Sequence, residues 1–225
     1  MSKSKTSGFS AVVEALAAED LPHLKELGRR QRRAAETRVR LFRTAVQLFA
    51  KRGFGNVTVE DITEAADVGK GTFFNYFESK DHVFGVMAEI QLGKVKEALI
   101  RSEAGNETTF ATLRRLFSRV GEEPGRSAEL TRALISSITG SDRVRIVMSE
   151  RMAEGRQMLA RIIQLGQERG EVAAALKPSQ VALACQQSVM GTMLLWSLRG
   201  DGRLETWLEN SFNHLWRAIT DPRES

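Results

Sequence analysis

One short run of the 225-residue chain gathers side chains able to hold a polyanion and read its edges: Lys70, Gly71, Thr72, Asn75 and Tyr76. Asn and Thr carry the donors and acceptors that pair with base edges, while a lysine ammonium and a tyrosine hydroxyl suit phosphate oxygens. Charge placement agrees. Residues 23–56 hold ten basic side chains against Glu26 and Glu36, while the stretch from Asp81 onward is near neutral. A basic end on a neutral body implies a polyanion partner, either nucleic acid or an anionic surface. Catalytic chemistry has no comparable footing: no Ser/His/Asp order, phosphate loop or paired-carboxylate motif is present. His23, His82 and His214 are too scattered to ligate a metal, and Cys185, the single cysteine, excludes an intramolecular disulfide. No enzyme activity, metal or cofactor is expected.

The elements that would position this run are helical. The four prolines fall in breaks, and no sustained period-2 run or Asn-Gly turn marks a strand. Leu41, Ala45, Leu48 and Phe49 recur at helical spacing, and Gly53 follows Lys51 and Arg52 as a C-terminal stop. Thr58 with Asp61 three residues on forms a capping box, flanked by Val57 and Ile62 as a hydrophobic staple. That helix ends near residue 66 at a turn of Asp67, Val68 and Gly69. A second short helix covers about 70–76, and Ser79 is placed to cap a longer one over about 80–100. Two short helices across a three-residue turn are helix-turn-helix geometry, whose second helix enters the DNA major groove. Ile62, Ala66, Val68, Phe73 and Phe77 then face inward, and both helix starts aim free N–H groups outward, which favours phosphate. Further helices are predicted at about 108–121, 127–139, 142–169, 178–199 and 204–219. Residues 1–9 read as a disordered tail, and 10–18 as a short extra helix ended by Pro22. Arg29, Arg30, Gln31, Arg32 and Arg33 form either an arm reaching the adjacent minor groove or the solvated start of a helix.

Residues 37–84 resemble the DNA-binding domain of the TetR family of transcriptional repressors. The likeness rests on Leu48-Phe49 and Gly53-Phe54, on Thr58-Val59, on Lys70-Gly71-Thr72, and on Tyr76-Phe77-Glu78-Ser79-Lys80. It implies phosphate contacts from Thr58, Tyr76 and Lys80, and recognition-helix contacts from Lys70, Gly71, Thr72 and Asn75. Three positions depart from the family pattern: Asp67 replaces a glycine, Gly69 replaces a capping serine, and Phe74 stands where tyrosine is common. The resemblance divides the chain into an N-terminal extension (1–33), the helix-turn-helix domain (34–82) and a helical effector-binding and dimerisation domain (83–225). The expected architecture is all-α.

In the body, the segment 178–199 is apolar nearly all round, so it must be covered by its own core and a second subunit, or by an intramolecular bundle alone. Val181, Cys185, Leu195, Trp207, Phe212 and Trp216 are the candidates for a homodimer interface. An effector pocket, implied mainly by the resemblance, draws on Phe117, Met148, Met152, Leu159, Ser188, Thr192 and Met193. These are equally well plain core, because methionines at helical spacing fill interiors. The resulting expectation is a repressor that binds a palindromic operator as a homodimer and is released by a small, largely apolar effector. The helix over about 80–100 would link the two units. The alternatives are a helical adaptor or an enzyme that uses the basic patch for another anionic partner. With no run of 18 apolar residues and no cleavable leader pattern, no membrane association is expected and the location is cytoplasmic.

Overall fold

The computed structural model describes residues 28–220. The expected tail over 1–9, the helix over 10–18 and the break at Pro22 lie outside those residues. Nine α-helices and two 3₁₀ turns, with no strand, make up the described chain: α1 Arg29–Arg52, α2 Val59–Ala65, α3 Lys70–Phe74, α4 Lys80–Ala104, α5 Thr109–Val120, α6 Ala128–Gly140, α7 Asp142–Glu168, α8 Pro178–Arg199 and α9 Leu204–Thr220. The 3₁₀ turns are Phe54–Asn56 and Pro124–Arg126.

Two compact units result. The first takes the N-terminal helices through Ile90 together with Ala133–Met148; the second takes Gln91–Arg132 and the chain from Ser149 onward. Helices α4, α6 and α7 therefore each supply residues to both units. This division differs from one placed near residue 82, because the end of α6 and the start of α7 fold with the N-terminal helices.

Aromatic packing holds the first unit. Phe49 stacks on Phe84 with centroids 5.2 Å apart, and Phe54 meets both rings edge-on. Leu41, Ala45, Ile62, Phe73 and Phe77 are fully buried beside them. The start of α7 is tied in by polar contacts: Ser141 Oγ donates to Asp81 Oδ1 at 2.6 Å, and Arg143 donates to Glu78 at 2.6 Å.

The second unit closes around Leu113, Phe117, Ile162, Ile163, Ala182, Cys185 and Phe212. Helix α9 packs on α8 and α5, with Phe212 and Trp216 against Phe110. Gly166 is tightly enclosed: a Cβ there would stand 2.8 Å from Thr109 Oγ1 and 2.9 Å from Val172. Lys94 is 3% exposed, and its charge is balanced in place by Glu123 at 2.6 Å and Glu122 at 3.1 Å.

Helix α8 has two different sides. Val181, Ala182, Cys185, Met193 and Trp196 enter the core, whereas Leu183, Leu194, Leu195 and Leu198 stay exposed. By length and composition α8 is apolar enough to cross a membrane, with a mean hydropathy of 1.3, a property that residue-by-residue inspection for unbroken apolar runs misses.

Candidate nucleic-acid interface

The helix-turn-helix is built by α2 and α3. Thr58 caps α2: its Oγ1 accepts from the Asp61 N–H at 3.1 Å, while Asp61 Oδ2 accepts from the Thr58 N–H at 2.7 Å. The Thr58 hydroxyl also donates to Asp61 Oδ2. Those bonds, with Arg52 beside them, hold the Asp61 carboxyl below its ordinary range. Val57 and Ile62 are buried on either side of the cap, as the staple requires. The turn takes the left-handed conformation at Asp67, φ 51°, the position where the family pattern has glycine. Asp is one of the few non-glycine residues for which that conformation is routine.

Phe73 fixes the orientation of α3, being fully buried against Phe77 with centroids 5.3 Å apart. At 100° per residue, a buried residue 73 turns Gly71 and Asn75 away from the core, with Lys70 and Phe74 along one flank and Thr72 on the other. The exposures agree: Lys70, Gly71, Phe74 and Asn75 are exposed, and Thr72 and Tyr76 half-buried. Nothing lies within 4 Å of a Cβ built on Gly71. One face of α3 thus presents a backbone notch flanked by an amide, a hydroxyl, an ammonium and a phenyl ring.

Not every expected contact residue is unengaged. Lys70 is ion-paired with Glu60 of α2, with both side chains more than half exposed. Lys80 is half-buried, and its ammonium donates to the carbonyls of Phe54 at 3.0 Å and Val57 at 2.9 Å. The same ammonium sits 4.4 Å from the Phe54 ring centroid. The Thr58 hydroxyl is occupied by its own cap. Ser79 does not cap α4, for its hydroxyl is buried without a hydrogen-bond partner. Sequence reasoning missed Glu60, whose link to Lys70 spans ten residues, and Arg143 with Ser141, which reach Glu78 and Asp81 from 65 and 60 residues away.

His82, in the first turn of α4, accepts the Glu78 N–H at Nδ1, 3.2 Å away. Burial, reinforced by Arg38 and Arg143 and opposed by Glu78, pushes its pKa below the ordinary histidine value.

In the second unit, the residues expected at a contact between copies fall into two groups. Val181, Cys185 and Phe212 are 5%, 2% and 1% exposed, closed off inside the core of the second unit. Burial pushes the Cys185 thiol up to about 12, so it carries no thiolate at neutral pH. Leu195 is 57% exposed, and Trp207 and Trp216 are half-buried. Among the expected pocket residues, Phe117, Leu159 and Met193 are core and Met152, Ser188 and Thr192 half-buried, while Met148 belongs to the first unit. Ser188 Oγ is bonded to Ser211 Oγ at 2.6 Å. A cleft in this unit is lined by charged side chains instead, among them Arg101, Arg115 and Arg119, paired with Glu97 and Glu107.

Comparison with known proteins agrees with this geometry. The family model for bacterial regulatory proteins of the tetR family matches residues 41–87. The HTH-type transcriptional regulator TcmR of Streptomyces glaucescens is 46% identical over 56 residues, a stretch spanning 25% of this chain and 25% of TcmR. The HTH-type transcriptional repressor DhaR of Mycobacterium sp. (strain GP1) is 28% identical over 166 residues, covering 71% of this chain and 83% of DhaR. The crystal structure of Thermus thermophilus FadR, a TetR-family transcriptional repressor, superimposes with a TM-score of 0.59 at 26% identity, covering 84% of this chain and 97% of that one. The buried Phe73, the capped α2 and the outward face of α3 lie within the matched segment: residues 41–87 match the tetR family of bacterial regulatory proteins, and over most of its length the chain is similar to TetR-family transcriptional regulators.

Proposed function

We propose that this chain represses transcription by binding a pseudo-palindromic duplex as a homodimer, and that a small, largely apolar effector releases it. The observation that carries the reading is the outer face of α3, where Gly71, Thr72 and Asn75 stand clear of the core with groups suited to base edges. Tyr76 and Lys70 lie alongside as phosphate partners. Thr58 and Lys80 serve the same surface by fixing it, since their polar atoms are held within the unit. The relatives DhaR and the probable acrEF/envCD operon repressor of Escherichia coli carry the word repressor in their names, which supports the direction of regulation.

The exposed leucines of α8 support the homodimer. Leu194, Leu195 and Leu198 form one stripe with Leu183, and a Cβ on Gly191 would meet nothing within 4 Å, leaving room for another helix. A self-complementary patch on one helix suits a two-fold axis. A second copy fits α8 better than lipid does, because its other side is already committed to the core. Two-fold pairing would set the recognition helices about 34–36 Å apart, one turn of duplex.

For the effector, the support is thinner in residues and stronger in likeness: the FadR structure holds lauroyl-CoA, a ligand with a long apolar tail. Helix α4 supplies Phe84 to the first core and Val95 and Ala98 to the second, so ligand binding in the body has a continuous helix through which to act. The coupling expected of such a device is about 1–3 kcal/mol, and operator must weaken effector binding by the same factor.

The test is selection from a randomised duplex library, followed by sedimentation of the free protein and its complex. Enrichment of an inverted repeat by a two-copy complex supports the reading. Absence of enrichment, or a monomer at micromolar concentration, overturns it.

A further inference from the structure

Phe74 is the one phenylalanine among the described residues that stands exposed, at 49%. Phe49, Phe73, Phe77 and Phe84 are buried in the first unit's core, whereas Phe74 stands outside it and meets Phe73 in an edge-on arrangement, centroids 5.5 Å apart. It lies on the flank of α3 beside the notch at Gly71, where the helix backbone is free to approach a groove closely. A phenyl ring carries no donor or acceptor, so it reads neither a phosphate nor the polar edge of a base. The major groove offers one apolar group, the C5-methyl of thymine, and aromatic or small apolar side chains are its natural contact.

We propose that Phe74 is a specificity-determining residue that recognises a thymine C5-methyl group in the major groove. The inference rests on the DNA-binding reading above and adds to it a particular chemical group of the duplex. Contact with the methyl removes part of the ring and the methyl itself from water. Discrimination should come from that burial alone, because no hydrogen bond accompanies it.

The experiment uses the full chain and two randomised duplex libraries, one built with thymidine and one with deoxyuridine, which pairs identically but lacks the methyl. From the thymidine library the protein should enrich an A·T pair at a fixed place in each half-site; from the deoxyuridine library that preference should disappear. On the enriched duplex, replacing that one thymine by uracil should weaken binding about fourfold, the value of burying one methyl-sized group. Phe74→Ala, at an exposed site, should keep its urea midpoint and bind the two duplexes equally. Phe74→Leu should retain part of the preference. If neither library yields an enriched duplex, the DNA-binding reading itself fails. If a duplex is enriched but every thymine in it tolerates uracil, Phe74 reads no methyl and only this inference falls. It falls equally if Phe74→Ala keeps the full preference for thymine.

Discussion

Lys80 and Phe54 are joined twice over: the ammonium donates to the Phe54 carbonyl at 3.0 Å and lies 4.4 Å from the centroid of the same residue's ring. A second bond to the Val57 carbonyl makes Lys80 a tie between the start of α4 and the loop that precedes α2. Two of its three protons are thus spent before DNA arrives. Lys80→Ala should lower the stability of the first unit by about 1.5–3 kcal/mol, the usual worth of a hydrogen bond to a charged group. The check is urea denaturation without DNA. An unchanged midpoint with weaker binding would return Lys80 to the role of a phosphate contact.

Glu60 and Lys70 form an exposed ion pair between α2 and α3, and Glu60 is held below the ordinary carboxylate range chiefly by the Lys70 hydrogen bond. In the proposed complex the carboxylate competes with phosphate for the ammonium. Glu60→Gln should tighten binding to every duplex up to about fivefold at low salt, a small gain because exposed pairs are screened by water and salt. In a Lys70→Ala background the same substitution should give a smaller gain, limited to relief of repulsion. Equal gains in both backgrounds would show that Lys70 is not the group being released.

Gly71 is held by no neighbour, so its lack of a side chain serves something other than packing. Gly71→Ala should leave the fold intact or stabilise α3 by about 1 kcal/mol or less through helix propensity. Operator affinity should nonetheless fall, because a methyl fills the notch. Thr72→Ala should act differently, relaxing discrimination at one or two base pairs. Parallel selections with both variants separate the two effects; identical sequence preferences in both would remove Thr72 from readout.

His82 predicts an acid-sensitive first unit. Its folded pKa lies below the unfolded value of about 6.5, so below that pH the unfolded chain takes up a proton that the folded chain resists. The stabilisation is complete above about pH 6.5 and is lost as pH falls through the folded pKa. Glu78 attracts the protonated ring, while Arg38 and Arg143 oppose it. Urea midpoints should fall between pH 7.5 and 5.5 in the wild type and change less in His82→Gln. A wild-type midpoint that rises on acidification would mean that Glu78 wins.

What the sequence made legible was local. Thr58 and Asp61 are three residues apart, and their reciprocal capping appears as expected. Helix α8 begins and ends at the predicted residues, bounded by Pro178 and by Gly200 in the left-handed conformation. Long-range pairings were not legible. Nothing in the spacing shows that Lys80 reaches back 23 and 26 residues, or that Arg143 returns to Glu78. Apolar periodicity located α8 and α9 but left unmarked which stripe meets the chain's own core. Val181, Cys185 and Phe212 went inward while Leu195 and Leu198 stayed out. Ser79 looked like a cap because its residue type suits one, yet the chain buries its hydroxyl instead.

The recognition helix is anchored by Phe73 and Phe77, both fully buried, while Lys70, Gly71, Phe74 and Asn75 face outward. In the proposed complex, foldability and reading are carried by different residues of the same short stretch. Substitutions at exposed positions of this kind usually shift stability by about 0.5 kcal/mol or less. A duplicated gene for this protein can therefore acquire a new target sequence through successive outward-facing changes, each intermediate remaining a folded regulator. The aromatic pair beneath keeps the helix in place while its vocabulary drifts.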